Sequence, residues 1–238
     1  MISAQVLIIH FVELVAALSA SYYWIKTKDQ AIRPFVWYLW LIVFIETFGF
    51  YPYLYIHFDH PYIDWIEHSV IRRNTWLYNL KSIIDIFLIG LFILRNTNKK
   101  FVHRGVNLVV VSCTVFIISY YLISGNFFKT TIAYDSAIQT FAIFVMVILY
   151  YQELLKSEDF LEFYKSHVFY LLSGLLIFQI CLTPISLFMG YYLKTNQNFV
   201  EFRKSFFTIS NVLLYSCYTF AFFYSLHHKK QLQMRKSH

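Results

Sequence analysis

Seven long apolar stretches constrain the fold of this chain more than any other feature of its sequence. A helix needs about 20 mostly apolar residues to cross the hydrocarbon core of a bilayer. The seven stretches of that length are Ala4–Ile25, Pro34–Ile56, Thr75–Leu94, Val106–Ser124, Ser136–Leu155, His167–Leu193 and Phe206–Leu226. The connectors between them are too short for a soluble domain. We therefore expect an all-α polytopic membrane protein, a seven-transmembrane-helix bundle forming a single domain over residues 1–238.

The composition agrees with this expectation and excludes several other classes of protein. Apolar residues make up 58% of the chain and charged residues 14%, against roughly 25% charged residues in a soluble domain. The formal net charge is +7, but the basic residues lie between apolar stretches, so we expect a lipid bilayer as partner and no nucleic acid. Cys113, Cys181 and Cys217 lie inside apolar stretches, which excludes a disulfide-stapled secreted domain. No phosphate-binding loop or catalytic zinc motif is present, and we expect no cofactor.

The distribution of Lys and Arg predicts the orientation of the bundle. The odd-numbered connectors and the C-terminal tail carry thirteen of these residues, and the even-numbered connectors carry six. Cytoplasmic segments of membrane proteins are enriched in Lys and Arg. We therefore expect the N-terminus outside and the C-terminus in the cytoplasm.

Ionisable residues inside the apolar stretches are the candidates for function. A charge at the centre of a bilayer costs at least ~2.5–3.5 kcal/mol, so such residues need a reason to be there. Lys81 and Asp85 are four residues apart on one helix face, and His10 and Glu13 share a face in the same way. The candidate ligand-binding residues are the polar side chains at similar depth, in the outer half or near the middle of the membrane: His10, Glu13, Glu46, Lys81, Asp85, Gln179 and Asn211.

Two interpretations of this polar cluster remain open. The side chains could line a pocket that opens to the outside. They could also form a packing network, because polar groups often hold membrane helices together, each contributing about 0.6 kcal/mol.

The second connector, which lies outside in the predicted orientation, contains weaker candidates for a metal site. His57, Asp59, His60 and His68 lie within twelve residues, and their side chains are of types that bind zinc or copper. Their spacing matches no metal-binding motif, and a solvated polar loop at the membrane surface explains them better. We therefore expect no metal site.

Three stretches carry a resemblance to a known family. They are Trp76–Leu80 with Asp85, the Gly-Leu-Leu-aromatic segment within Leu171–Phe178, and Ile209–Phe222. They resemble an uncharacterised family of seven-helix integral membrane proteins from Bacteroidetes-type bacteria, which is similar to the membrane sensor region of histidine kinases. The family's usual Pro-rich entry to the sixth helix is replaced here by Ser166–Phe169. The resemblance implies a multi-pass protein of the bacterial inner (cytoplasmic) membrane and no catalytic residue.

These observations favour a seven-helix sensor or receptor-like protein without its own catalytic domain. We expect the polar cluster to sense a small molecule, a lipid or the state of the envelope. A histidine kinase or another signalling partner would then receive the signal. The alternative is a small transporter or channel that uses the intramembrane acidic residues and Lys81 for proton or ion coupling. A membrane-embedded enzyme acting on lipids and a purely structural role are further possibilities.

The orientation gives a direct topological prediction. A reporter fused after His238 should report the cytoplasm, and one fused before Met1 should report the outside. An odd number of spans places the two termini on opposite sides. Matching signals from the two fusions would therefore contradict a seven-span bundle.

Overall fold

The computed structural model describes residues 4–53, 65–130, 135–157, 163–192 and 197–236. Within those ranges it has seven helices that are long and apolar enough to cross a membrane, and no strand. The helices are α1 (Ala4–Thr27), α2 (Arg33–Phe48), α3 (Thr75–Arg95), α4 (Lys100–Ser124), α5 (Asp135–Leu155), α6 (His167–Tyr192) and α7 (Gln197–Lys236). The second candidate span includes α2 and continues to Tyr53. The prediction of an all-α chain with seven candidate spans is confirmed. A helix suits hydrocarbon because it satisfies its backbone polar groups internally.

Six of these helices form a closed ring, and α4 lies outside it. Each helix of the ring packs against the next in the order α1, α2, α3, α5, α6 and α7, and α7 packs against α1. Helix α4 packs against α3 and α5. Most of its apolar side chains are exposed, including Leu108, Val115 and Leu122. The ring therefore encloses a shared interior, and α4 covers the seam between α3 and α5.

Two local features fix the ends of α4. The Glu153 carboxylate accepts hydrogen bonds from the backbone N–H groups of Asn98, at 2.7 Å, and Lys99, at 3.2 Å, just before the helix begins. A carboxylate is favourable there because helix N-termini carry unsatisfied N–H groups and partial positive charge. At the other end, Gly125 adopts a left-handed φ of 61° and donates its N–H to Tyr121 O. Glycine adopts this conformation without steric cost.

Helices α4 and α7 extend beyond their apolar stretches by more than one turn. Helix α4 begins at Lys100 and not at Val106, and α7 covers Gln197–Lys236 and not only Phe206–Leu226. The added turns carry charged residues such as Arg104 and Arg203. Hydropathy marks the part of a helix that can lie in hydrocarbon, whereas the helix itself continues into the interface and the water.

A cluster of large aromatic side chains fills the half of the ring in which α1 ends and α2 begins. It consists of Tyr23, Phe35, Phe92, Tyr218 and Phe222, all fully buried. Phe35 is at its centre, with its ring centroid 5.0 Å from that of Phe92 and 5.1 Å from that of Tyr218. We call these five residues the aromatic floor. Because they come from α1, α2, α3 and α7, they close this half of the bundle with packed rings.

Helices α3 and α4 approach closely at Gly90. A Cβ atom added there would lie 2.5 Å from Cγ2 of Val110, too close for a normal contact. At Gly174, the nearest atoms to an added Cβ are 3.5 Å away, an ordinary van der Waals distance. The two glycines therefore differ in how much room surrounds them.

Replacing Gly90 with Ala should destabilise the bundle. Overpacking a well-packed site typically costs about 1–3 kcal/mol, and Val110 has to move to admit the new methyl group. Adding Val110→Ala should restore most of the lost thermal stability in detergent. Gly174→Ala is the matched control and should have little effect. Equal losses from the two glycine substitutions would contradict the close approach of α3 and α4.

Candidate functional site

A cavity of about 300 Å³ lies inside the ring, between the end at which α1 begins and the middle of the bundle. Described residues from α1, α2, α3, α5, α6 and α7 line it, and α4 contributes none of them. All seven candidate residues are in the lining: His10, Glu13, Glu46, Lys81, Asp85, Gln179 and Asn211. The structure thus brings them to one place. That they bind a ligand stays a prediction.

Lys81 and Asp85 form an ion pair inside the cavity. The Lys81 ammonium group donates to Asp85 Oδ2 across 2.5 Å, one helical turn along α3. Gln139 of α5 donates to the same oxygen at 3.1 Å. The Asp85 residue is only 1% exposed. Each charge of the pair has a partner, which reduces the free-energy cost of removing it from water. The hydrogen bond from Gln139 links the pair to the neighbouring helix α5.

His10 and Glu13 form a second pair, on α1. His10 Nδ1 lies 3.5 Å from Glu13 Oε2, and His10 Nε2 lies 3.1 Å from the Thr47 hydroxyl of α2. Glu13 is buried and also interacts with the Tyr215 hydroxyl of α7. Helices α1, α2 and α7 therefore meet around one carboxyl group.

Glu46 has a different environment from the other two carboxyl groups. The Tyr78 hydroxyl of α3 donates to Glu46 Oε2 at 3.3 Å. Lys81, His10 and Glu13 interact with Glu46 electrostatically over a longer distance. Among the described residues, no basic group lies within ion-pair distance of Glu46. Glu46 is thus the cavity carboxyl group without a cation in direct contact.

Gln179 and Asn211 complete the lining from α6 and α7. Thr140 of α5 donates to Gln179 Oε1 at 3.4 Å and shares a hydrogen bond with the Thr183 hydroxyl. The Asn211 amide donates to Phe207 O within its own helix, at 2.8 Å. Gln179 therefore joins two helices, whereas Asn211 is a polar wall residue.

The aromatic part of this site could not be predicted from the sequence. Six aromatic side chains line the cavity among the polar ones: Tyr38, Phe50, Tyr78, Phe178, Phe207 and Tyr215. In a chain with 26 Phe and 20 Tyr, no local signal separates a cavity tyrosine from a lipid-facing one. Gln139, which also lines the cavity, does carry a sequence signal, because it is a polar residue at matching depth in the fifth stretch.

Most of the weak metal candidates lie outside the described residues. This applies to His57, Asp59 and His60, whereas His68 is described. Within the described ranges, no three His, Cys, Asp or Glu side chains are placed to hold one metal ion.

Comparison with known proteins adds no relative: no family model, curated protein or solved structure matches the chain. The site must therefore be interpreted from its own geometry.

The Lys81–Asp85 pair gives a test of coupling inside the cavity. Asp85→Asn should leave a partly buried ammonium group without its counter-charge. Breaking a fully buried pair costs about 3–5 kcal/mol in soluble proteins, which sets the upper limit of the expected loss. The double variant Lys81→Met with Asp85→Asn should recover part of the lost thermal stability in detergent. Strictly additive losses in this double-mutant cycle would show that the two residues are not coupled.

Proposed function

We propose that this protein is a seven-helix membrane receptor that binds a small ligand in its polar cavity and has no catalytic domain of its own. The observation that supports this proposal most is the cavity. Polar side chains from six helices line it, and packed aromatic rings lie beyond it. Concave sites with an apolar lining and a few placed polar groups are typical of small-molecule binding. A pure packing network would fill this space with contacting side chains instead.

The aromatic floor favours a receptor over a channel. Beyond the cavity, Phe35, Phe92 and Tyr218 occupy the centre of the ring and are fully buried. A solute in the cavity would have to displace these packed rings to continue through the bundle. Binding that ends inside the protein is therefore the simplest use of the space.

Helix α7 supplies a physical route from the cavity to the opposite end of the protein. Asn211 and Tyr215 line the cavity, Tyr218 and Phe222 belong to the aromatic floor, and the same helix continues to Lys236. Forty residues of α-helix extend about 60 Å, roughly twice the thickness of the hydrocarbon core. A small tilt or rotation of α7 caused by a ligand would move its far end.

The far end of α7 is suited to a partner of opposite charge. The sequence there contains Lys229, Lys230, Arg235 and Lys236. In the proposed orientation, with the N-terminus outside and the C-terminus in the cytoplasm of a bacterium, this segment emerges from the inner membrane. It would contact anionic lipid headgroups or an acidic surface of a signalling partner such as a histidine kinase.

One observation favours a transporter as the second candidate function. Glu13, Glu46 and Asp85 are three intramembrane carboxyl groups in one cavity, and such residues often mark proton or ion pathways. Transport would require the aromatic floor to open, and measurements of flux separate the two functions.

The receptor proposal can be tested by filling the cavity. Ile42 is buried and lines the cavity, so Ile42→Trp should occupy the ligand's space. Phe44→Trp is the matched control, because Phe44 is exposed on the same helix. The purified variants are screened by thermal unfolding against small amines, amino acids, organic acids and sugars. A ligand at 100 times its Kd stabilises a protein by about 2.7 kcal/mol.

We expect at least one compound to stabilise the original chain and Phe44→Trp but not Ile42→Trp. Proteoliposomes that contain the protein should not accumulate that compound when a proton gradient or an ion gradient is applied across their membrane. Gradient-driven accumulation would establish the transporter instead. An equal response from Ile42→Trp, or no response to any compound, would contradict a receptor cavity.

A further inference from the structure

We infer that the cavity is built for a small organic cation, a protonated amine with an apolar body, and that Glu46 is its counter-ion. This inference rests on the proposed receptor function and names the ligand class of the same cavity. It depends on three features of the lining: the balance of charge, the carboxylate oxygens that lack donors, and the aromatic side chains.

The balance of charge in the cavity is acidic. Glu13, Glu46 and Asp85 line it, against one permanently basic residue, Lys81, and His10, which carries charge only when protonated. Lys81 is in direct contact with Asp85, and His10 lies beside Glu13. Glu46 is left with the neutral Tyr78 hydroxyl as its hydrogen-bond donor. A partly buried carboxylate with no counter-charge in direct contact is costly, and a bound cation would reduce that cost.

The hydrogen-bonding capacity of the lining also favours a donor ligand. Asp85 Oδ1 and Glu13 Oε2 are buried and accept no hydrogen bond from the described residues, although His10 lies 3.5 Å from the latter. Ionised carboxylates are acceptors only, so a ligand that brings N–H donors complements them. An anionic ligand would instead add repulsion with the three carboxyl groups of the lining.

The aromatic lining favours an organic cation over a metal ion. Tyr38, Tyr78 and Tyr215 are close to the carboxyl groups, and Phe50, Phe178 and Phe207 line the remaining walls. Ammonium groups bind the faces of aromatic rings, and the apolar walls would cover a hydrocarbon body. A metal ion would instead need several ligands at one point. No such group of three His, Cys, Asp or Glu residues exists among the described residues.

The test compares three compounds of similar shape and different charge: phenethylamine, 2-phenylethanol and 3-phenylpropionate. Their affinities are measured by thermal stabilisation of the original chain and of two variants. Glu46→Gln removes the charge but keeps an acceptor for Tyr78. Glu201→Gln is the matched control, because Glu201 is an exposed residue of α7 away from the cavity.

We expect phenethylamine to bind the original chain and Glu201→Gln at least about tenfold more tightly than either analogue. Glu46→Gln should lower the affinity for phenethylamine by about tenfold or more, because a hydrogen bond to a charged group is stronger than one between neutral groups. It should leave the affinity for 2-phenylethanol nearly unchanged. If Glu46→Gln does not fold, Glu46→Asp serves instead. It keeps the charge and should keep the preference for the amine.

An alcohol that binds as tightly as the amine, or an amine affinity unaffected by Glu46→Gln, would overturn the inference. The receptor proposal would survive that result if Ile42→Trp still abolished binding.

Nanodiscs of phosphatidylglycerol with and without phosphatidylethanolamine identify the source of the amine. Competition by phosphatidylethanolamine indicates a lipid headgroup, and unchanged binding indicates a soluble amine. Binding of the amine in neither lipid would overturn the inference.

Discussion

The cost of placing charge in hydrocarbon governs the arrangement of this bundle. Four ionisable side chains, Glu13, Glu46, Lys81 and Asp85, lie within helices that are otherwise apolar enough to cross a membrane. Each would cost several kilocalories per mole if it faced lipid. In the structure all four line one internal cavity. The rotation of α1, α2 and α3 about their own axes follows from this requirement, because only one rotation turns each of these residues inward.

The interior that results has two halves with different chemistry. Polar and aromatic side chains surround open space in one half, and the aromatic floor fills the other. Dispersion and offset ring contacts stabilise the floor, and the Tyr23 hydroxyl also lies within hydrogen-bond distance of His167 Nδ1, at 3.2 Å. Helix α4 takes part in neither half, because its contacts are with the outer surfaces of α3 and α5. The bundle therefore works as a ring of six helices with a seventh as support.

The sequence carried enough information for the number of helices and for most of the polar lining. Intramembrane charge is a strong signal, so Glu13, Glu46, Lys81 and Asp85 could be placed in the interior from their cost alone. The order of helices around the ring could not be predicted, because apolar faces such as those of α4 and α6 have similar composition. The role of Tyr78 also required the structure, since its hydroxyl meets Glu46 only through the packing of α3 on α2.

The central claim is that the polar residues face a water-accessible cavity and not lipid, and cysteine labelling tests it most directly. His10 lines the cavity, whereas the adjacent Phe11 is 66% exposed on the outer surface of α1. Each is replaced by Cys in a chain whose Cys113, Cys181 and Cys217 are changed to Ala, and the variants are labelled in nanodiscs with a membrane-impermeant maleimide. A thiol reacts as its thiolate, which forms in water and not in hydrocarbon. Labelling of His10→Cys at least about tenfold faster than Phe11→Cys is predicted, and equal rates would contradict the cavity.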